Sequence, residues 1–359
     1  MQQLGYGVIG LGRISARHLD AIDRLEGGRV VAVADADADK AREVAAARDL
    51  KAYTDYHQLL EREDVDVAVV LVPTHLHREV AVAAADAGKH VICEKAMAPS
   101  VADCRAMLEA RDRNGVKLMV AHSTRFVAQF IVARRLVEER AIGEVVGLDA
   151  HFTAGATQPH EVPHDFWRFK AGAAGHGYVV NFGSHYIDTA RAMTGADPIS
   201  VSGYVGNRFS RGVIPEDRYV ITALCEPDIT ISIAQYGVLE SYPVPPAGYA
   251  IFGTRGMIQA TLGRNAVLLS QANEKPREVA VEPGLLTEDA WEREHRGFCR
   301  SVVQDTVEPV TGEDAMKNVE WAIAGYLSSQ RRCWVDLPLT EEDCAYSGPQ
   351  LDRTIPATE

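Results

Sequence analysis

A chain of 359 residues is long for one hydrophobic core and comfortable for two domains. Apolar residues make up 47% and charged residues 24%, as in ordinary soluble globular proteins, and the strongest apolar run (67–72) is too short to span a bilayer. The formal net charge of −13, from 37 basic and 50 acidic residues, excludes the basic footprint of a nucleic-acid binder.

From the N-terminus, short β-rich runs alternate with amphipathic or alanine-rich stretches. Residues 6–10, 29–35, 65–72, 90–93 and 117–121 read as strands, and 14–25, 39–50, 77–88 and 101–115 as helices. The last two helices end in Gly88 and Gly115, which serve as C-caps. Strands apolar on both faces and joined by helices imply a parallel sheet covered on both sides, and right-handed crossovers make it doubly wound. The first residues, MQQLGYGVIG, lack a basic n-region, so no signal peptide is expected. Six cysteines (93, 104, 225, 299, 333 and 344) form no C-x-x-C pair, which suits a reducing compartment. A cytoplasmic protein is expected.

After residue 122 the texture changes. A long amphipathic helix over 126–143 is followed by strand patterns at 144–153, 198–208, 217–226, 229–237, 248–254, 256–263 and 266–272. Their hairpin-like spacing predicts an antiparallel sheet. Two helices, at 288–305 and 312–332, precede a short strand in 333–339 and could pack back on the first domain. The expected division is 1–122 and 123–359.

The turn after the first strand contains Gly10, Gly12, Arg13, Ile14 and Ser15 and opens a helix. In a dinucleotide fold the first glycine makes the tight turn, the second lets a pyrophosphate approach the backbone, and the helix N-terminus supplies N–H groups. Ser15 is small enough for the third-glycine position. Asp35 ends the second strand about 20 residues on, where a carboxylate accepts hydrogen bonds from ribose hydroxyls and repels a 2′-phosphate. Asp37 and Asp39 follow with no arginine, so NAD is favoured over NADP.

The fifth strand ends on adjacent Glu94 and Lys95, residues seldom fully buried unless paired. Solvent at the strand end is the plain explanation, but open α/β sheets bind ligands there. Residues 180–192 read as helical, which places Asn181, His185 and Asp188 on one polar face.

The stretch VPTHLHREVAVAAADAGKHVICEKAMAPS resembles the Gfo/Idh/MocA family of oxidoreductases. STRF (123–126), RAIGEVVGL (140–148), FWRFK (166–170), GHGYVVNFGSHYIDTARAMTG (175–195) and IFGTRGMI (251–258) are similar to its landmarks, in its order. The resemblance implies an α/β N-terminal Rossmann domain with a doubly wound parallel sheet. It pairs this with an α+β C-terminal domain built on a large, mostly antiparallel open sheet, which serves homo-oligomerisation to a dimer or tetramer. Pro73, Thr74 and His77 fall where the family's cofactor passes, although His77 also fits a structural role, and Glu94 orients Lys95 or the backbone beside it. His122, Arg125, Trp167, Arg168, Asn181, His185 and Asp188 fall by the substrate. Buried pairing is the alternative for Arg125, and pairing along the helix for Asp188. Two departures stand out: Ala96 replaces the family's proline after Glu-Lys, and Asn181 replaces an aspartate four residues before His185.

The chemistry such a set supports is hydride transfer between NAD and the carbinol of a sugar, polyol or glycoside, a small-molecule substrate. Histidine has the intrinsic pKa of a general base near neutrality, which suits His185 to that role, and Lys95 would stabilise the developing alkoxide. Asn181 would orient the imidazole or bond a substrate hydroxyl. A redox-cycling reaction that cleaves a glycoside, and a non-catalytic dinucleotide sensor, are the competing readings. His151, His160, His164 and Asp165 invite a metal reading, but Pro163 disfavours one helix presenting both nearby histidines, and no metal is expected.

Overall fold

The computed structural model describes residues 3–155, 178–208, 216–238 and 247–348. They divide into two compact units, residues 1–123 with 289–316 and residues 124–288 with 317–359.

In the first unit, β1 (Leu4–Ile9), β2 (Gly28–Ala34), β3 (Lys51–Tyr53), β4 (Val67–Val70), β5 (His90–Glu94) and β6 (Leu118–Ala121) form one sheet in the order 3-2-1-4-5-6. Every pairing is parallel. The crossovers are α1 (Ser15–Asp23), α2 (Ala38–Arg48), α3 (Tyr56–Leu60), α4 (His77–Asp86) and α5 (Val101–Asn114). The chain winds outward from β1 in one direction and from β4 in the other, so the order reverses between β1 and β4, where such sheets bind nucleotides. Strands β1, β4 and β6 are buried along their whole length, which explains their continuous apolar runs.

The second unit opens with α6 (Ala128–Glu138) and β7 (Val145–Gly155). A π-helical turn, Val179–Gly183, leads into α7 (Ser184–Thr194). Then come β8 (Pro198–Gly206), β9 (Arg218–Cys225), β10 (Ile229–Val238), β11 (Gly248–Gly253), β12 (Gly256–Thr261), β13 (Ala266–Gln271), β14 (Arg277–Ala280) and α8 (Pro283–Leu286). The chain ends in α9 (Ala290–Gln304), α10 (Gly312–Arg331), β15 (Val335–Asp336) and α11 (Glu341–Cys344). Nine strands form one sheet, 14-13-12-11-7-10-9-8-15, antiparallel except for β7 beside β10. On its inner face Phe152, Gln235 and Tyr219 sit abreast on β7, β10 and β9, and α7 packs over them. Gly183 permits that approach, because a Cβ there would lie 2.9 Å from the Tyr219 hydroxyl.

Candidate active site

The glycine turn of the first unit is shaped by contacts that admit no side chain. Gly10 has φ +95, and a Cβ on it would lie 2.7 Å from the Leu71 carbonyl carbon. Gly12 instead has no atom of the described residues within 4 Å of where its Cβ would be. Ser15 Oγ donates to the Gly12 carbonyl at 2.7 Å and ties the turn to α1. No side chain caps α1 and no acid occupies its first turn, so its positive dipole end is left for an anion. Arg13 is exposed and Ile14 half-buried at the same turn. Asp35 accepts the Leu11 N–H at 2.7 Å and the Asp37 N–H at 2.9 Å, which fixes its carboxylate beside the turn. Lys40 Nζ stands 4.0 Å from that carboxylate. An open-floored glycine turn, an uncapped helix and a fixed carboxylate together fit a dinucleotide.

Lys95 follows the last residue of β5 and is half-buried, with a cis peptide to Ala96. Glu94 lies 3.5 Å from His18 Nε2. Burial pushes the Glu94 carboxyl up, but the contact with His18 and the charge of Lys95 outweigh it and hold the group below the ordinary range. Pro73 and Thr74 are half-buried where β4 gives way to a short 3-10 turn, Thr74–Leu76. His77, the first residue of α4, is buried, and its ring nitrogens face the carbonyls of Val72 and Ala96, each at 2.9 Å. A neutral ring donates to one of these two carbonyls, so His77 ties α4 either to the end of β4 or to the turn just past Lys95. Burial, the largest influence, holds its pKa below the ordinary histidine value. His122 is buried just after β6.

In the second unit the 3-10 turn Ser123–Phe126 is latched to α7 by two side chains. Thr124 Oγ1 lies 3.0 Å from His185 Nδ1. Arg125 grips Asp188 in a fork, Nε to Oδ2 at 2.9 Å and Nη2 to Oδ1 at 2.6 Å. Asp188 Oδ1 also accepts from Asn318 Nδ2 at 2.8 Å, and Asn318 Oδ1 accepts from Arg191 at 2.7 Å. Arg191 continues to Asp197, which also pairs with Lys317. Asp188 is fully buried, whereas Asn181 and His185 are half-buried. The expected polar face is thus split. Asp188 turns into a buried charge network, whereas His185 meets Thr124 through Nδ1.

Trp167 and Arg168 lie outside the described residues, as do His160, His164 and Asp165. Sequence reasoning missed Thr124, although it stands within the STRF landmark beside Arg125. It also missed Asn318, which no spacing signals, since it meets Asp188 from 130 residues away.

Residues 4–122 match the family model described as an oxidoreductase family with NAD-binding Rossmann fold, and residues 130–259 match the GFO/IDH/MocA C-terminal domain. The chain is 28% identical over 261 residues to a 2,7-anhydro-N-acetylneuraminate hydratase of Mediterraneibacter gnavus, covering 72% of this chain and 67% of the relative. It is 29% identical over 335 residues to a 1,5-anhydro-D-fructose reductase of Ensifer adhaerens, covering 89% and 93%. An aldose–aldose oxidoreductase of Caulobacter crescentus, solved with glycerol, superposes with a TM-score of 0.81 at 26% identity, over 94% of this chain and all of the other.

Proposed function

The chain belongs to the Gfo/Idh/MocA family of oxidoreductases, with an NAD-binding Rossmann domain, and from that premise we propose that it oxidises a secondary hydroxyl of a sugar, polyol or glycoside. Bound NAD supplies the hydride acceptor; Gly10, Gly12, Arg13, Ile14, Asp35, Pro73 and Thr74 would hold it. Lys95 stabilises the alkoxide through its charge. His185 takes the hydroxyl proton at Nε2, while Nδ1–H donates to Thr124 Oγ1. The Thr124–His185 contact carries this reading, because it gives the imidazole a defined orientation where Asn181 supplies no charge.

The test is NAD reduction across polyols, aldoses, sugar acids, glycosides and anhydro sugars. One class turning over with accumulation of NADH supports net oxidation, and no reduction by any class removes it. A second reading is favoured by the hydratase among the relatives, since hydration leaves no net NADH. Consumption of an anhydro sugar or glycoside in the presence of NAD, with no change at 340 nm, would select it. A non-catalytic sensor would bind NAD and consume none of these compounds. NAD should bind more tightly than NADP in a fluorescence titration. Asp35→Ser should narrow the gap, with Lys40 already beside the vacated charge.

Assembly through the large sheet into a dimer or tetramer is supported by Tyr204, Val220 and Tyr236, exposed on β8, β9 and β10 on the face away from α7. Light scattering of the purified chain tests it. All six cysteines are free thiols, which supports a reducing, cytoplasmic setting.

A further inference from the structure

Within the first unit, α1 packs on α9, and each contributes a fully buried histidine to the contact. The rings of His18 and His295 meet edge to face at 5.1 Å, with His18 Nδ1 2.8 Å from His295 Nε2. On its other side His18 Nε2 lies 3.5 Å from Glu94 Oε1, a long contact short of a hydrogen bond, and has no nearer partner among the described residues. The Tyr6 ring on β1 lies 6.2 Å from the His295 ring, centroid to centroid. Resting on the reading of Lys95 as a catalytic group, we propose that His295 and His18 are positioning residues for the Glu94–Lys95 pair. They form a chain of fixed tautomers that holds the Glu94 carboxylate in place, so that its charge bears on the adjacent Lys95.

Hydrogen counting fixes the direction of the chain. The nitrogen-to-nitrogen contact holds one hydrogen, donated by one ring to the other. If His18 donated it from Nδ1, a neutral His18 would turn a bare Nε2 toward the Glu94 carboxylate, lone pair to lone pair. A charged His18 would avoid that, but a neutral His295 accepting at Nε2 must then carry its hydrogen on Nδ1. His295 Nδ1 is buried with no partner among the described residues, and a donor left unsatisfied there costs about 1–3 kcal/mol. The remaining arrangement has His295 Nε2–H donating to His18 Nδ1, and His18 Nε2–H directed at Glu94, with both rings neutral. Burial, reinforced by the facing His18, holds the His295 pKa well below the ordinary value.

The chain orients and does not conduct. Its inner end stops at His295 Nδ1, which has no hydrogen-bond partner among the described residues, so a proton entering from Glu94 has no exit there. The other ionisable groups packed around it are Cys299 beside Tyr6, Glu294 next to His295, and His77 and Lys95 at the Glu94 end. Burial pushes the Glu94 carboxyl up, but the net shift is downward, so Glu94 is an anion throughout the range in which a lysine titrates.

Two measurements on the full chain with NAD bound test this without any alcohol substrate. Nitrogen-15 spectra of the imidazoles, assigned with His18→Phe and His295→Phe, should show both rings neutral and protonated at Nε2 at pH 7. A ring protonated at Nδ1, or charged, overturns the chain. The pH dependence of Lys95 acetylation, read by mass spectrometry, should move down by about 0.5–1 unit in His18→Phe, because the Glu94 carboxylate, still ionised where a lysine titrates, is no longer held in place next to it. His18→Gln, which keeps a donor near the place of Nε2, should restore it. Unchanged Lys95 labelling in a folded His18→Phe protein overturns the proposal. Should that variant not fold, a shifted Lys95 profile in a folded His18→Gln protein, whose His295 keeps its hydrogen on Nε2, would overturn it equally. Failure of the substrate scan refutes the dehydrogenase reading and leaves these two readouts standing, so the two failures are distinguishable.

Discussion

Lys95 and His185 are held by opposite kinds of chemistry. Around Lys95 the supports are buried imidazoles: His77 on backbone carbonyls, and His295 and His18 in line toward Glu94. Around His185 the supports are ions: Arg125, Asp188, Arg191, Asp197 and Lys317, joined through Asn318. Neutral rings in a dry interior hold geometry without Coulomb attraction, but each must stay uncharged to remain there. A buried ion network holds geometry through charge, and every member depends on its partner. The first support is therefore vulnerable to acid, and the second to deletion of a single group.

Deletion in the ion network gives the largest expected effect. Asp188→Ala leaves Arg125, nearly buried, without its fork, and should lower the unfolding free energy by about 3–5 kcal/mol. Denaturant titration measures this, and a loss under 1 kcal/mol would mean that Arg125 is solvated in place. The corresponding deletion at the neutral side should spare stability and strike turnover. Lys95→Ala should bind NAD normally while kcat falls at least about a hundredfold, or roughly 2.7 kcal/mol of barrier. Near-normal turnover would return Glu94 and Lys95 to a plain pair at a strand end.

Acid separates the two regions next. His77 and His295 have pKa values below those of their unfolded forms, chiefly through burial. The unfolded chain therefore binds more protons as pH drops below the ordinary histidine range, and stability falls with it. The slope approaches about 1.4 kcal/mol per pH unit for each such histidine. Glu94 acts in a lower window: its depressed pKa contributes stability above the ordinary glutamate value, and this is lost as pH falls through the folded one. Unfolding free energy should thus decline from about pH 6.5 downward, and His295→Phe should flatten the first part of that decline. A curve flat to pH 5 in the wild type would show that these rings charge without cost.

Much of this was legible in the sequence because it was local. Doubly apolar strand runs announced a parallel sheet, the spacing of Gly10, Gly12 and Asp35 announced the nucleotide turn, and Lys95 stood out as a charge ending a core strand. The helix expected over 126–143 ends instead at Glu138. Arg140 takes the left-handed conformation there, and Ala141 N–H returns to the Leu136 carbonyl. Gly143 misled because its positive φ serves a different need, a close pass against Thr254 where a Cβ would not fit. The three-residue edge strand β3 is too short to show alternation. Pairing was the larger blind spot. His18 meets His295 across 277 positions and Thr124 meets His185 across 61, and no periodicity carries information over such separations.

Thr124 offers the finest test, because it separates orientation from charge at His185. For Nε2 to accept the alcohol proton, Nδ1 must carry hydrogen and donate to Thr124 Oγ1, which then faces the imidazolium as a neutral dipole. Thr124→Val keeps the shape and removes the acceptor. It should lower kcat by about tenfold, the scale of one lost hydrogen bond, and move the acidic limb of kcat/KM down, because the charged ring loses a partner. Thr124→Ser should behave as wild type. Asn181→Asp supplies charge in place of orientation and should move the same limb up, as an anion near the ring favours its protonation. Opposite displacements in the two variants would show that His185 is the titrating base, tuned from both sides. If both limbs stay fixed in folded, NAD-binding proteins, another group sets the pH dependence and His185 only positions the substrate.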